Sequence, residues 1–212
     1  METVRKVGSV VGSDAIERGI DAVLAPNLNL ARSPLAGRAF EYFSEDPLLA
    51  GVLGVAWIGG LQSTGTGAVA KHVVCNDSET MRDRLNVIID ARTLREVYLL
   101  PFELAAEAGC AGMLAAYNKV NGDWCSENAH ILNDIVKGEW SFDKLIMSDW
   151  FGTHSGAGCV NAGLDLEMPG PARFMGSKLA EEAGVDHVRV ADAAARVAAT
   201  ANAVTGAKAK PL

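Results

Sequence analysis

The stretch KLIMSDWFGTHSG, residues 144–156, is a short apolar run that ends in a polar segment followed by glycines. Its apolar part has the length and content of a strand that is buried on both faces, as in a parallel sheet covered by helices. The run stops at Ser148, Asp149 and Trp150, and Gly152 and Gly156 then allow the chain to turn away. We therefore expect Asp149 at the carboxyl end of a buried strand, where parallel α/β sheets bind their ligands.

The same alternation extends over most of the chain. Other apolar runs of strand length lie near residues 20–25, 68–74, 111–116 and 164–168. Segments of helical period separate them: residues 46–62 with Ser44 as N-cap, a helix that starts at the Thr93–Glu96 capping box, kinks at Pro101 and stops at Gly109, and residues 128–138. Strands that alternate with helices predict an α/β fold with a parallel sheet.

The predicted strands number five, fewer than the eight that close a (β/α)8 barrel. We therefore expect a TIM-barrel-like domain that is incomplete, over residues 1–175. Residues 176–212 are expected to hold closing helices and a C-terminal tail. A helix over residues 185–204 would place five side chains on one face, and a frayed basic tail, GAKAKPL, would follow it. The five are Val190, Ala194, Val197, Ala201 and Val204.

Composition excludes several classes of function. The 212 residues include 19 Lys and Arg against 26 Asp and Glu, and the net charge of −7 argues against a nucleic-acid partner. No window has the roughly 18 apolar residues of a membrane span, and no signal peptide is recognisable. The chain as given thus favours a cytoplasmic location, whereas secretion stays open if the natural N-terminus lies upstream. Four widely spaced cysteines predict reduced core thiols, and we expect neither a metal site nor a cofactor.

Polar residues follow the predicted strands at their carboxyl ends. Each has an ordinary explanation, since an Asp after a strand often caps a helix and a Lys-His pair can lie in a solvated loop. Their coincidence at several strand ends favours one shared site instead. The inventory suits a neutral polyhydroxyl ligand, because several groups can hydrogen-bond hydroxyls and an indole can stack on a sugar ring. These residues are Asn27, Asn29, Lys71, His72, Tyr117, Asp149 and Trp150.

Five ordered segments carry a family resemblance: ARSPLAGRAFEYFSEDPLLAG, AKHVVCNDSET, AAYNKVNG, IMSDWFGTHSG and NAGLDLEMPGP. In order and spacing they resemble the N-terminal barrel of glycoside hydrolase family 3, most of all its β-glucosidase branch. The resemblance covers residues from about 15 to 175 and implies that Asp149 is the catalytic nucleophile. It also implies that Arg38, Lys71 and His72 bind sugar hydroxyls. Tyr117 would lie beside the nucleophile, and Trp150 would flank the sugar and the aglycone.

The resemblance further implies an activity and its missing parts. Members of the β-glucosidase branch hydrolyse terminal β-D-glucosyl residues by a retaining double displacement, so a small or oligomeric β-glucoside is the expected substrate. The chain lacks the GHG loop of the family's N-acetylglucosaminidases. A substrate-binding aspartate upstream of Arg38 and an acid/base glutamate on a following α/β domain are also typical of the family. We expect both to lie outside a chain truncated at its two ends.

Two other readings stay open at this point. Lys71 at the end of a strand could form a Schiff base in a barrel lyase, because burial lowers the pKa of a lysine. The chain could also be a non-catalytic remnant that binds sugar without turning it over. Trapping by borohydride would identify the lyase, and sugar-dependent stabilisation without turnover would identify the binding remnant.

Overall fold

A four-stranded parallel sheet forms the centre of the computed structural model, which describes residues 1–206. The strands are β1 (Ala22–Val23), β2 (Gly67–Val73), β3 (Asn86–Val87), β4 (Gly112–Ala115), β5 (Lys119–Val120), β6 (Asp123–Trp124) and β7 (Leu145–Ser148). The central sheet has the order β1-β2-β4-β7, with every neighbouring pair parallel. A small second sheet, in the order β3-β5-β6, is formed by short strands in the segments that follow β2 and β4. The predicted α/β fold with a parallel sheet is confirmed.

Helices connect these strands. They are α1 (Glu2–Glu17), α2 (Pro47–Gln62), α3 (Ala91–Thr93), α4 (Leu100–Glu107), α5 (Ala157–Ala162) and α6 (His187–Gly206). Two segments, Leu94–Leu99 and His130–Glu139, have π-helical hydrogen bonding, and the first of them joins α3 to α4. Single 3-10 turns occur at Ala39–Glu41, Cys125–Glu127 and Leu179–Glu181.

The sheet is open within the described residues, so the closed barrel is not seen. At one edge, β1 is two residues long, shorter than the predicted strand over residues 20–25, and it pairs with β2. At the other edge, the strand predicted over residues 164–168 is reduced to a single parallel bridge between Met147 and Leu166. The segment still lies alongside β7, since the N–H of Ser148 donates to the backbone oxygen of Leu166 over 2.9 Å and the N–H of Leu166 donates to that of Ile146 over 3.3 Å. Only the predicted length of this strand is wrong.

The two faces of the sheet are both covered, as the continuous apolar runs predicted. One face packs against α2, α4 and the helix His130–Glu139, which contribute Ile58, Phe102 and Ile135. The other face carries a smaller cluster that also contacts Val197 of α6. Its buried members are Val69, Leu114, Leu145 and Met147. Adjacent residues of each strand alternate between the clusters, so every central strand is buried on both sides.

Close packing of α1 on α2 depends on glycine. A Cβ added at Gly8 would overlap the backbone oxygen of Trp57, and a Cβ added at Gly60 would overlap the backbone oxygen of Arg5. The two helices therefore approach to backbone contact at these positions, which no larger side chain permits. This contact holds α1 beside β1 at the edge of the sheet.

Three local predictions need correction. Asp46, and not Ser44, caps α2, since its carboxylate accepts from the N–H of Leu49 over 2.7 Å. Asp90, and not Thr93, caps α3 by accepting from the N–H of Thr93 over 2.9 Å. Pro101 lies in the first turn of α4, where a proline is tolerated, and the irregularity is the π-helical segment before it. Each true cap lies two or three residues from the predicted one, in a stretch with several suitable side chains.

The closing helix presents a slightly different face from the predicted one. Ala193 and Thr200 are buried, whereas Ala194 and Ala201 are exposed. In a helix rich in alanine, a rotation by one residue changes hydrophobicity very little, so the sequence did not distinguish the two faces. The predicted basic tail after Gly206 lies outside the described residues.

The four cysteines are free and buried, which confirms the prediction of core thiols. Burial raises the pKa of the thiols of Cys110 and Cys125 to about 12, so both are uncharged at neutral pH. No helix within residues 1–206 combines the length and the apolar content that crossing a membrane requires.

A buried ion cluster fixes α6 to the sheet. The carboxylate of Asp165, whose side chain is fully buried, accepts from Nζ of Lys137 over 2.8 Å and from Nη2 of Arg189. It also accepts from the N–H of Ile146 in β7 over 2.8 Å. Burial lowers the pKa of Lys137 to about 8 in spite of the carboxylate beside it. One carboxylate thus connects β7, the helix His130–Glu139 and α6.

Replacing this carboxylate should destabilise the fold strongly. Asp165→Asn leaves the buried Lys137 without its counter-charge and leaves Arg189 with Asp192 as its remaining carboxylate partner, and we expect a loss of about 3–5 kcal/mol in the free energy of unfolding. Urea unfolding followed by far-UV circular dichroism measures it. The control is Asp143→Asn, which breaks an exposed pair with Lys144 and should cost about 0–1 kcal/mol. Equal losses in the two variants would contradict the account of the cluster.

Candidate active site

The carboxyl ends of the central strands bring the predicted residues to one edge of the sheet. Lys71 and His72 belong to the end of β2, Tyr117 follows β4, and Asp149 follows β7. The register pairs Lys71 with Leu114 and Ala115 with Ser148, so the three strands end at a similar level. Neighbouring parallel strands therefore place these side chains side by side.

Arg38 joins this group from the loop between β1 and α2. It precedes the 3-10 turn Ala39–Glu41, which returns the carboxylate of Glu41 to its guanidinium. Nε of Arg38 donates to Glu41 over 3.0 Å, and Nη2 donates to both carboxylate oxygens over 2.9 and 2.8 Å. Glu41 also lies 3.7 Å from Nζ of Lys71 and accepts from Nδ2 of Asn27 over 3.1 Å. One carboxylate thus holds both predicted cations of the site.

The charges in this group influence one another. Burial alone would raise the pKa of Glu41, but hydrogen bonds from Asn27 and Arg38 and the charge of Lys71 outweigh it and lower the pKa. For Lys71, burial is the largest influence and lowers the pKa of the ammonium, against the attraction of Glu41 and Asp149. The side chains of Arg38, Lys71, Glu41 and Asp149 keep between 13 and 24% of their surface exposed, so a ligand can reach them.

His72 is the buried centre of the group, with 2% of its surface exposed. Its Nε2 lies 2.9 Å from Nη1 of Arg38 and 3.5 Å from Oδ2 of Asp149. Burial, followed by the positive charges of Arg38, Lys71 and Arg82, lowers the pKa of His72 well below its ordinary value. The imidazole is therefore neutral near pH 7, and its contact with Asp149 is not a pair of opposite charges.

Asp149 stands at the end of β7 with its carboxylate facing this group. Its backbone N–H donates to the oxygen of Ala115 over 3.2 Å, which ties the residue to β4. Oδ1 accepts from the N–H of Trp150 over 2.7 Å, and Oδ2 is the oxygen near His72. The backbone oxygen of Asp149 accepts from the N–H of Gly152 over 3.0 Å and closes the turn after the strand. Both oxygens are thus held in place by a rigid backbone.

Tyr117 and Trp150 contribute two aromatic side chains next to Asp149. The hydroxyl of Tyr117 donates to the backbone oxygen of Trp150 over 2.8 Å, so this side chain supports the turn that carries Asp149. Burial, with the nearby charge of Asp149, raises the pKa of Tyr117 to about 12. Trp150 keeps 38% of its surface exposed, which leaves its ring accessible for stacking.

Two residues that the sequence did not single out take part in the site. Glu41 holds Arg38 and Lys71, and the guanidinium of Arg82 lies 4.5 Å from the centre of the Tyr117 ring. Glu79 orients Arg82 over 2.6 Å. Glu41 lies within the first segment that carries the family resemblance, three residues after Arg38. Arg82 follows the second of these segments and lies eleven residues after Lys71. Their loops have no periodicity from which a position could be predicted.

Two carboxylates beyond β7 are engaged in structural contacts. Asp165 belongs to the buried ion cluster, and Glu167 accepts from the hydroxyl of Thr153 over 2.9 Å. Glu167 also accepts from three consecutive backbone N–H groups, those of residues 173–175, at 2.7 to 3.0 Å. These bonds lower the pKa of Glu167 against the opposing effect of burial. A carboxylate held ionised by four donors is poorly suited to deliver a proton.

A cavity of about 450 Å³ adjoins the site on the side of Lys71 and Glu41. It is mostly apolar, and Asp149 is not among its lining residues. The cavity therefore lies beside the group around Asp149 and does not include that carboxylate. The lining residues are Val4, Val7, Ala25, Pro26, Asn27, Glu41, Phe43, Trp57 and Lys71. Within residues 1–206, no group of three or more His, Cys, Asp or Glu side chains is arranged to hold a metal ion.

The arrangement has clear chemical capacities. A carboxylate on a turn that backbone hydrogen bonds hold in place can attack an electrophilic carbon. Cationic and neutral donors beside it can hydrogen-bond several hydroxyls, and an exposed indole can cover an apolar ring face.

Comparison with known proteins supports this view. The family model "Glycosyl hydrolase family 3 N terminal domain" matches residues 1–200. A "Beta-glucosidase" of Rhizobium radiobacter is 49% identical over 179 residues, which cover 84% of this chain and 22% of that protein. A protein of Aspergillus fumigatus with the name "Probable beta-glucosidase I" is 51% identical over 176 residues, which cover 82% of this chain and 21% of that protein. The chain thus spans about a fifth of the length of these curated relatives.

Solved structures agree. The chain is similar to a β-glucosidase from Kluyveromyces marxianus in complex with glucose, with a TM-score of 0.93 and 38% identity over 97% of this chain and 25% of that one. It is also similar to β-glucosidase 3B from Thermotoga neapolitana in complex with glucose. There the TM-score is 0.90 and the identity 34%, over 97% of this chain and 30% of that one.

The buried His72 should make stability depend on pH. The unfolded chain protonates His72 near its ordinary pKa of 6.5, whereas the folded chain resists protonation. Stability should therefore fall as pH drops below 6.5, by up to about 1.4 kcal/mol per pH unit, and recover above it. Chemical unfolding between pH 5 and pH 7 measures the slope, and His72→Gln should flatten it. His130→Gln, at an exposed histidine, should leave it unchanged. A slope as steep in His72→Gln as in the parent chain would contradict the prediction.

Proposed function

Because the chain belongs to glycosyl hydrolase family 3, we propose that the protein hydrolyses terminal β-D-glucosyl residues of small or oligomeric β-glucosides. The observation that most strongly supports this proposal is that the side chains of Asp149, His72 and Arg38 converge at one edge of the sheet. Oδ2 of Asp149 and Nη1 of Arg38 both lie within 3.5 Å of Nε2 of His72. Solved relatives that carry glucose have the same fold over nearly the whole chain.

In this proposal, Asp149 is the nucleophile of a retaining double displacement. Its carboxylate attacks the anomeric carbon, the glycosidic oxygen leaves with a proton from an acid, and a covalent glycosyl-enzyme forms. Water then attacks the same carbon, gives up a proton to the conjugate base of that acid, and releases glucose with its original configuration. The rigid turn at Asp149 supports this role, because a nucleophile must be held in line with the carbon.

The sugar is proposed to lie against donors from β2 and the β1–α2 loop. Arg38 and Lys71 would donate to hydroxyls, His72 would offer Nε2, and Trp150 would stack on an apolar face. Tyr117 is expected to act through the turn, since its hydroxyl is engaged by the backbone oxygen of Trp150. Arg82, whose guanidinium lies over the Tyr117 ring while Nη1 donates to Glu79, is added to this group.

The acid/base group is proposed to come from outside the described residues. A retaining mechanism needs a second carboxyl group about 5–5.5 Å from the first. Asp165 and Glu167 follow β7 along the sheet, but cations and backbone donors already engage both of them. Glu41 is likewise bound by Arg38 and Asn27. A glutamate on a second α/β domain, as the family resemblance implies, would meet the requirement.

We also propose that the open sheet is part of a (β/α)8 barrel in the whole protein. The order of the sheet supports this proposal, because β1 is an edge strand that pairs with β2 on one side only, and a further parallel strand can pair with an edge strand. Residues 1–175 would then form part of the barrel, with residues 176–212 as closing helices and tail.

One observation favours a second candidate. Burial lowers the pKa of Lys71, as expected for an amine that forms a Schiff base. However, its pairing with Glu41 opposes the loss of the proton. Reduction by borohydride with a carbonyl sugar would label Lys71 in that case, and absence of label is expected here.

Loss of Asp149 should abolish turnover. We expect Asp149→Ala to lower the hydrolysis of a dinitrophenyl β-D-glucoside by on the order of 10³-fold or more, since a covalent step is lost. Dinitrophenolate leaves without a proton donor, so the first step, which is seen as phenolate release in the first turnover, does not depend on the acid/base group. Release of the coloured phenolate gives the rate.

Rescue by azide distinguishes the loss of the nucleophile from a general loss of activity in Asp149→Ala. In Asp149→Ala, azide should displace the phenolate from the free face and yield the α-glucosyl azide, which chromatography and NMR identify. Asp134→Ala, at an exposed position, should keep the parent rate. Retention of more than a few per cent of activity in Asp149→Ala, without azide, would remove Asp149 from the nucleophile role.

A further inference from the structure

Each ring nitrogen of His72 has a side chain at hydrogen-bond distance. Nδ1 lies 3.1 Å from Oδ1 of Asn29, and Nε2 lies 2.9 Å from Nη1 of Arg38. An imidazole nitrogen donates when it carries a proton and accepts when it does not. The two neighbours therefore decide which tautomer the ring adopts.

The amide of Asn29 has a single orientation that satisfies its contacts. Nδ2 donates to the backbone oxygen of His72 over 2.9 Å, and Oδ1 accepts from the backbone N–H of His72 over 3.0 Å. A reversed amide would set donor against donor and acceptor against acceptor at both places. Since Oδ1 can only accept, Nδ1 of His72 has to carry a proton.

The guanidinium of Arg38 determines the state of the other nitrogen. Nη1 is a donor at any ordinary pH, so Nε2 of His72 faces it as a bare acceptor. A proton on Nε2 would set two donors against each other at 2.9 Å. The positive charges of Arg38, Lys71 and Arg82 all oppose an imidazolium and so favour the same neutral ring. Oδ2 of Asp149 lies 3.5 Å from Nε2, farther than Nη1 of Arg38 at 2.9 Å.

We propose that Asn29 is a positioning residue that holds His72 protonated on Nδ1, so that the bare Nε2 orders Arg38 beside Asp149. Nothing in the sugar-binding roles already described assigns Asn29 a function. The residue is 3% exposed and lies two positions beyond the bridge of Asn27 with Lys71. The tautomer rests on hydrogen bonds alone, and its consequence for the sugar rests on the proposed function.

The consequence concerns two groups. Nε and Nη2 of Arg38 donate to Glu41, and one Nη1 proton goes to His72, so the remaining Nη1 proton is free for a sugar hydroxyl. Oδ2 of Asp149 receives no donor from His72, so its lone pair remains free for the anomeric carbon. A proton on Nε2 would displace Arg38 and occupy Asp149 at once.

Nitrogen NMR of the histidine rings tests the proposal on the chain itself. The chain has four histidines, and His72→Gln removes one set of ring signals and so assigns it. At neutral pH we expect Nδ1 of His72 in the range of protonated ring nitrogens and Nε2 in the range of unprotonated ones. These nitrogen chemical shifts are measured in the parent chain, so this test requires no variant at Asn29. A proton on Nε2 in the parent chain would overturn the proposal.

Variants then test the role of Asn29. In Asn29→Asp, a carboxylate faces Nδ1 and favours the imidazolium, so Nε2 should move to the protonated range. Asn128→Ala is the control at a second buried asparagine, because Asn128 is 5% exposed and its two side-chain hydrogen bonds, with Val120 and Ile131, do not involve His72. The control should leave both ring signals of His72 in place. An unchanged ring in a folded Asn29→Asp would overturn the proposal.

Glucose titration, followed in the same spectra, tests the consequence. We expect Asn29→Asp to weaken glucose binding roughly tenfold or more, as the loss of an ordered charged donor would, while Asn128→Ala stays within about twofold. Unchanged affinity despite a changed ring would overturn the positioning role. If the parent chain shows the predicted tautomer but does not bind glucose, the result supports the role of Asn29 in fixing the His72 tautomer. The same result counts against the proposed function.

Discussion

The carboxylate of Glu41 is the interaction on which the site depends. It binds Arg38 through three hydrogen bonds and lies 3.7 Å from Lys71, so it offsets two positive charges that stand beside a buried imidazole. Without it, two half-buried cations would repel each other and raise the free energy of the fold by several kcal/mol. With it, both cations stay in place while some of their donors remain free. The proposed sugar site is thus made of charges that are already balanced before a ligand arrives.

The sheet supplies the rigidity that such a balance needs. Lys71, His72 and Asp149 are carried by strands that are buried on both faces, and Asp165 anchors β7 to α6 through buried ion pairs. Glu167 fixes the following loop through three backbone donors. Carboxylates in this domain therefore have two separate tasks. Those around the sheet hold the structure, and Asp149 places its Oδ2 beside the neutral imidazole of His72.

Much of this could be predicted from the sequence, and the failures have physical causes. The sequence predicted strands β2, β4 and β7 because a strand that is buried on both faces has a continuous run of apolar residues. The segment over residues 164–168 is equally apolar and lies beside β7, but it forms only a single bridge with β7. The length of a ladder depends on both strands, and the sequence of one segment does not contain that information. In the site, Lys71, His72, Tyr117 and Asp149 follow strands, so their convergence could be expected from topology. Glu41 and Arg82 lie in loops, where position depends on the folded path, and the role of Asn29 depends on hydrogen-bond directions that appear only in three dimensions.

The central claim is that Asp149 is the residue that bonds to the sugar in the proposed hydrolysis, and covalent trapping tests it most directly. A glucosyl fluoride with a second fluorine on the carbon next to the anomeric one loses fluoride without a proton donor and forms a slowly hydrolysed ester with the nucleophile. Peptide mapping by mass spectrometry should find one fluoroglucosyl group on Asp149. Label on a different residue, or none on Asp149 under conditions in which the chain binds glucose, would contradict the account.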